Sequence, residues 1–329
     1  MKYRTIGTHP ARQREVSVLA LGAMWFGTAT DEPTAYALLD RFVEAGGTFV
    51  DTSNNYAFWA NGTQGGESEA LLGRWLASSG KRDSMVVATK VGARPLAPAR
   101  DFRSIEGLSP AVVREQVDRS RERLGIEQID LYYAHLRDPG TPLADQVDGL
   151  AGLVEDGAVG LLGASNFWAW ELERSRSLAG GRPSYDVVQF QHSYLRPRTD
   201  QPGLASPEGT VGVADGAVLS WLADDPSLSL VAYSPLLKGA YTRADKPLPE
   251  SFDHPGTPAR LAVLDEVARQ TGATRNQVVL AWMLGAPVPA IPLVGASSVA
   301  QLDESIEAVD LELTTEQQAM LDGERERVW

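Results

Sequence analysis

"TAYALLDRFVEAGGTFVDTSNNY", Thr34 to Tyr56, contains the unit that decides the fold. Its first half carries apolar residues at helical spacing and stops at Gly46-Gly47. Its second half, "TFVDTS", is a short β-prone run. Asp51, Thr52, Ser53, Asn54 and Asn55 are turn and capping residues, and Tyr56 follows them. A buried strand that ends on an aspartate has two readings. Asp51 caps the next element and Tyr56 packs, or the two belong to one acid–base site.

The same alternation extends along the chain. Strand-like runs are "VSVLALG", "TFVDTS", "SMVVATKVG", "IDLYYAHL", "VGLLGASN", "DVVQFQHSYL", "LSLVAYSPL" and "AIPLVGASS". Between and after them lie amphipathic runs, such as "GESEALLGRWLASSG" and "PLADQVDGLAGLVEDG". "SPAVVREQVDRSRERLG" has Ser109 as N-cap, Pro110 as first helical residue and Gly125 just past the end. Another helix starts at about Trp168, and the last is "VAQLDESIEAV". Eight strand–helix units in 329 residues match the arithmetic of a (β/α)8 TIM barrel. The competing α/β fold, a doubly wound open sheet, normally brings G-x-G-x-x-G after its first strand. Gly22 and Gly27 do not give that spacing. No linker or shift in composition divides the chain, so residues 1–329 read as a single domain. Three polar loops, 57–66, 195–216 and 237–256, each follow a strand and would rise from the C-terminal face, where barrel active sites sit.

Composition narrows the chemistry. The chain has no cysteine, which excludes disulfides, Cys-ligated zinc and a thiol nucleophile. Its four histidines, at 9, 135, 192 and 254, form no metal motif, so no metal is expected. A net charge of −13 without a Lys/Arg block argues against nucleic acid. The N-terminus lacks the apolar core of a signal peptide, and no run is long enough for a membrane helix, so a cytoplasmic protein is expected. Nothing in the sequence sets an oligomeric state.

Polar residues that interrupt apolar strand ends mark a candidate site. Asp51 ends "TFVD", Lys90 ends "MVVATK" and His135 ends "LYYAH". In a barrel these are the second, third and fourth strands, with neighbours ~4.8 Å apart. Tyr56 can turn back over them. Each has a plain alternative: a cap, a snorkelling lysine, a core histidine, a packed tyrosine. Together they fit better as a site, because a lysine buried at a barrel mouth needs a partner, and Asp51 supplies one. A phenol ordinarily has a pKa of about 10. The Lys90 ammonium should stabilise phenolate and lower that value. His135 would orient the reacting oxygen. Such a group can protonate an alkoxide as it forms, which suits carbonyl reduction when a hydride donor lies opposite.

These residues resemble the aldo-keto reductases. "DTSNNY", the lysine of "VVATKVG" and the histidine of "IDLYYAHLRDP" match that family's motifs. "GASNF", the glutamine of "VVQFQ", "AYSPLLKG" and "VGASSVAQLDESIEAV" follow in order along essentially the whole chain. The likeness points to the branch that includes bacterial members and the potassium-channel β subunits. It implies a (β/α)8 fold and NAD(P)H lying extended across the barrel mouth. It gives Asp51, Tyr56, Lys90 and His135 the catalytic roles, with Tyr56 as proton donor. It also implies that Ser165, Asn166 and Gln189 hold the nicotinamide carboxamide and that Tyr233 stacks on the ring. Ser234, Leu236, Lys238 and Gly239 would contact the pyrophosphate. Gly295, Ser297, Ser298, Gln301 and Glu304 would surround the adenosine. Read by themselves, Ser165 and Asn166 could equally cap the helix at Trp168.

The adenosine-side segment "VGASSVAQLDES" carries no basic residue for a 2′-phosphate, so NADH stands beside the family default, NADPH. The resemblance therefore implies reduction of a small aldehyde or ketone, or the reverse oxidation of an alcohol. The alternative is a cofactor-binding regulatory subunit on the same fold. Trp25, Phe58, Trp59 and Trp168 lie on or beside strand-end loops and either line a substrate pocket or pack the rim. Glu67 and Glu69 favour a helix dipole and receive no chemistry. His192 and Tyr194 receive no role.

Overall fold

Each strand-prone run is short because it crosses the wall of a barrel once. The computed structural model describes residues 1–60, 62–96, 101–198, 200 and 211–323. Along the chain come β1 (Tyr3–Ile6), β2 (Arg14–Ser17), β3 (Ala20–Gly22), α1 (Glu32–Glu44), β4 (Phe49–Asp51), α2 (Glu67–Ser79) and β5 (Val86–Val91). Next are α3 (Pro110–Leu124), β6 (Ile129–Ala134), α4 (Leu143–Glu155), β7 (Val159–Ser165), α5 (Ala169–Ala179), β8 (Tyr185–Gln191) and α6 (Gly216–Asp224). The last are β9 (Ser229–Tyr233), α7 (Thr257–Thr271), α8 (Arg275–Leu284), β10 (Ala290–Val294), α9 (Val299–Glu307) and α10 (Thr315–Asp322). Strands β3 to β10 close into a barrel of eight, with β10 paired to β3. All pairs around it are parallel, so the (β/α)8 reading holds. No helix among the described residues is long and apolar enough to cross a membrane.

The N-terminal run departs from expectation. "VSVLALG" reads as one strand, but the chain bends between Ser17 and Ala20. The Ser17 hydroxyl donates to the Leu19 carbonyl at 2.7 Å, and Ser17 N–H donates to Thr48 Oγ1 at 2.8 Å. β2 therefore pairs antiparallel with β1, a strand that the sequence reading left out, and only β3 enters the barrel. The expected helix ends are met: Ser109 caps α3 and Gly125 ends it in the left-handed region, with φ 65°. Ser165 and Asn166 do not cap α5, whose first residue follows Trp168. Much of the 195–216 loop lies outside the described residues, as does Asn61 of the 57–66 loop.

Strand alternation sends every second side chain into the barrel. Phe49, Val86, Ala88, Leu131, Tyr133, Leu161, Val187, Val231 and Ile291 form the inner core, closed at the N-terminal end by Ile6 and Val16. Gly163 makes room for Tyr133, since a Cβ there would lie 2.3 Å from its ring. The same parity carries the inner face upward to Asp51, Lys90 and Gln189. The site is thus the topmost layer of the barrel interior.

Candidate active site

The parallel register levels Asp51 with Ala88, and Lys90 with Tyr133. Lys90 therefore starts two residues above Asp51 and reaches back with its long side chain. Its ammonium meets Asp51 Oδ1 directly, the Thr52 carbonyl at 2.8 Å and the Tyr56 hydroxyl at 3.0 Å. An ammonium has three protons, and these partners take all three. The second Asp51 oxygen accepts from Gln189 Nε2 at 2.8 Å. Asp51 and Lys90 are fully buried, and Tyr56 is 8% exposed. A buried ion pair of this kind holds only while both partners are present.

Burial alone would lower the Lys90 pKa, but Asp51 and Tyr56 override it and hold the ammonium above its ordinary value. The Asp51 carboxyl is pushed up by burial, and Lys90 and Gln189 only partly pull it back. At Tyr56 the balance differs from the sequence expectation. Lys90 does favour the phenolate, but burial outweighs it and Asp51 adds to burial, so the phenol titrates above its ordinary 10. Tyr56 keeps its proton at neutral pH. The hydroxyl accepts from Lys90, and its own proton finds no acceptor among the described residues.

His135 follows the end of β6. Its Nδ1 lies 3.1 Å from Ser53 Oγ, and its ring stands edge to face with Tyr56 at 5.9 Å between centroids. Burial, with Lys90 nearby, drops its pKa well below the usual 6.5, so the ring is neutral. Asn54 and Asn55 pin the intervening turn. Asn54 Nδ2 donates to Glu106 at 2.8 Å, and Asn55 Nδ2 donates to the Ala93 carbonyl at 3.2 Å. Thr52 adds a contact with Ser68 at 2.6 Å, and Ser68 in turn donates to the Ala23 carbonyl at 2.7 Å.

Ser165, Asn166 and Gln189 are brought together. Asn166 Nδ2 donates to Ser165 Oγ at 2.9 Å and to the His135 carbonyl at 3.0 Å, and Ser165 Oγ donates to the Gln189 carbonyl at 2.8 Å. Tyr233 donates to Asn166 Oδ1 at 2.9 Å. Among the described residues, the non-glycine residues with positive φ are Asn166 (59°), Ser234 (54°), Leu237 (47°) and Lys238 (59°). All four lie at exits of β7 and β9, on segments expected to hold a dinucleotide. Left-handed backbone costs energy at such residues and collects at functional sites. The β9 exit is braced from behind: Ser193 Oγ donates to the Pro235 carbonyl at 2.6 Å and lies 2.7 Å from the Tyr241 hydroxyl.

At the opposite side, Ser298 caps α9 and Gln301 Oε1 accepts from Ser297 N–H at 2.9 Å. A Cβ on Gly295 would meet nothing within 4 Å, which leaves open space there. Glu304 accepts from Thr274 at 2.7 Å and from Asn276 at 3.1 Å. At the β9 exit, the stems of Arg243 and Lys246 pass beside Gly239 next to Lys238, and the Arg243 guanidinium is paired with Asp245 at 2.6 Å. Open backbone near a helix N-terminus, hydroxyls and this cationic edge fit an extended dinucleotide diphosphate.

Aromatic rings line the neighbouring rim. Trp25 and Trp59 meet edge to face at 5.9 Å, Trp59 meets Phe58 at 4.9 Å, and Phe58 meets Phe102 at 5.3 Å. Trp168 makes no ring contact with this group among the described residues. Phe102, absent from the sequence reading, sits in the loop after β5, where a single aromatic gives little signal. Glu69 does more than favour the dipole of α2. Fully buried, it accepts from Thr89 at 2.5 Å and Arg123 at 2.6 Å, tying α2 to β5 and α3. His192 and Tyr194 pack on Trp282 of α8 as rim residues.

Known proteins show the family of the chain. The sequence profile of the Aldo/keto reductase family matches residues 18–326. The chain is 33% identical to the uncharacterized oxidoreductase YrpG of Bacillus subtilis, over 98% of this chain and 95% of that protein. It is 30% identical to the aldo-keto reductase str7 of Strobilurus tenacellus, over 95% and 90% of the two chains. It is also 30% identical to the norsolorinic acid reductase stcV of Emericella nidulans, over 92% and 76%. With its closed parallel barrel and a profile match across nearly its full length, this chain belongs to the aldo/keto reductase family of NAD(P)H-dependent oxidoreductases.

Proposed function

We propose that the protein reduces an aldehyde or ketone to the alcohol, reversibly, with NADPH as the preferred cofactor and Tyr56 as the proton donor. The observation that carries this reading is the Tyr56 hydroxyl. It is held at 3.0 Å by a lysine whose other protons are already committed, and its own proton is free to be given away. Ser165, Asn166 and Gln189 would face the carboxamide, and Tyr233 the nicotinamide ring. A bound reduced nicotinamide supplies the hydride to the carbonyl carbon. Tyr56 passes its proton to the carbonyl oxygen as negative charge builds there, and Lys90 stabilises the phenolate left behind. Asp51, gripped by Gln189, keeps Lys90 from turning to water.

Preference for NADPH follows the family default, and Lys238 and Lys246 beside Gly239 suit the diphosphate that NADPH and NADH share. Trp25, Phe58, Trp59 and Phe102 make an apolar wall suited to flat, aromatic carbonyl substrates. The test is oxidation of NADPH and of NADH, side by side, against a panel of aliphatic and aromatic aldehydes and ketones. Turnover fastest with NADPH and aromatic carbonyls supports the reading. Cofactor binding without turnover on any member of the panel overturns it.

A further inference from the structure

Glu106 brings a carboxylate into the rim where none of the site residues described above needs one. Its side chain is 3% exposed, and a buried carboxylate is costly unless donors meet it. Three do. Oε1 accepts from Asn54 Nδ2 at 2.8 Å and from Gly92 N–H at 2.8 Å, and Oε2 accepts from Arg94 Nε at 3.2 Å. These donors belong to two parts of the molecule. Gly92 and Arg94 follow β5, the strand that carries Lys90. Asn54 lies in the turn between Asp51 and Tyr56, and its N–H donates to the Lys90 carbonyl at 3.2 Å.

Asn54 holds one orientation at a cost. It is buried, and its Oδ1 has no hydrogen-bond partner among the described residues. Reversing the amide would turn that oxygen toward the Glu106 carboxylate and toward Gln116 Oε1, which lies 3.4 Å from Nδ2. The side chain therefore leaves an acceptor unsatisfied in order to donate to Glu106. Glu106 also closes the segment that carries Phe102. Its N–H donates to the Arg94 carbonyl at 3.0 Å, Leu96 N–H donates to the Ser104 carbonyl at 2.9 Å, and Pro95 pairs antiparallel with Ile105. Phe102 in turn meets Phe58, two residues past Tyr56, at 5.3 Å. One segment thus holds the Tyr56 stretch at two points, a polar one before the tyrosine and an apolar one after it.

We infer that Glu106 is a positioning residue: through its bond to Asn54 it couples the Tyr56 turn to the Phe102 segment, so that proton donor and apolar wall keep one spacing over the substrate. Tyr56 is the donor only on the proposed reaction, on which this inference rests; the Asn54–Glu106 bond stands without it. Loss of that bond should misplace the Tyr56 hydroxyl, which slows proton transfer more than it weakens cofactor binding. It should also loosen the wall that suits flat carbonyls.

Asn54→Ala, Glu106→Ala and the double variant of the full chain form a cycle, read by urea unfolding and by steady-state assay. Asn54→Ala cuts the link and leaves Glu106 its bonds to Gly92 and Arg94. It should lower kcat for the best aromatic carbonyl by about 10- to 100-fold, the range for a hydrogen bond to a charged group. The dissociation constant for NADPH should stay close to wild type, and the preference for aromatic over small aliphatic carbonyls should shrink. The double variant should be no slower than Glu106→Ala alone, and the losses in urea midpoint should not add. Glu106→Gln keeps an oxygen for Asn54 and Gly92 and should recover most of the activity that Glu106→Ala loses. Wild-type kcat in Asn54→Ala overturns the inference, whether or not Glu106→Ala folds. Losses in kcat that simply multiply in the double variant overturn it as well. Coupling in urea in a chain that turns over no carbonyl would uphold the Asn54–Glu106 link and overturn the reductase reading instead.

Discussion

The two ends of the barrel interior are built from the same strands and do opposite work. At the N-terminal end, Ile6 and Val16 close a layer of Phe49, Val86 and neighbouring aliphatic side chains. At the mouth, the inward positions above Phe49 of β4 and Ala88 of β5 are Asp51 and Lys90, a fully buried ion pair. Apolar burial tolerates trimming with a graded loss. A buried ion pair does not, since removing one member strands the other. The comparison separates stability at one end from chemistry at the other, and substitutions can break it.

Lys90→Met should have the largest effect. It leaves Asp51 buried without a cation and should cost about 3–5 kcal/mol of stability. It should also lower kcat at least about 100-fold through loss of support for the Tyr56 phenolate. Urea unfolding and steady-state assay read the two effects. Ile6→Ala, at the other end, should cost about 2–5 kcal/mol as a core cavity. In the surviving folded fraction, kcat and KM should match wild type. A changed KM in Ile6→Ala would break the separation of the two ends.

The smallest effect is on the acid side. Burial, then Arg196, depresses the His192 pKa from 6.5 to about 3, and His135 also lies well below 6.5. Below pH 6.5 the unfolded chain takes up protons that these folded rings do not. Stability is therefore lost as pH falls through 6.5, by about 1.4 kcal/mol per pH unit for each histidine. His192→Phe should remove its share, so wild type should lose about 2 kcal/mol more than the variant between pH 7 and pH 5. Urea midpoints at the two pH values measure it. Equal losses would show that His192 is not held neutral.

The sequence makes the top layer legible because polar residues at the ends of apolar strands are costly unless they serve a purpose. Asp51, Lys90 and His135 stand out for that reason, and Tyr56 stands out by adjacency. Gln189 is harder to read. Its side chain grips Asp51 from the far side of the barrel, and sequence distance gives no sign of a contact across 138 residues. The turn residues hide their roles differently. Ser53 and Asn55 look like ordinary turn formers, and only the positions of His135 and the Ala93 carbonyl give their polar atoms a direction. The sign of the Tyr56 shift is not legible in the sequence, because proximity to Lys90 follows from strand order, whereas the depth of burial does not. "VSVLALG" reads as one strand because its β propensity runs on through a bend that its own Ser17 makes with Leu19 and that Thr48 braces from outside.

Tyr56→Phe addresses the central claim most directly, since it deletes one hydroxyl and keeps the ring against His135. Oxidation of NADPH with the best carbonyl of the panel should fall by about 10²- to 10⁴-fold in kcat, with the dissociation constant for NADPH close to wild type. Equal turnover by wild type and Tyr56→Phe would contradict the account.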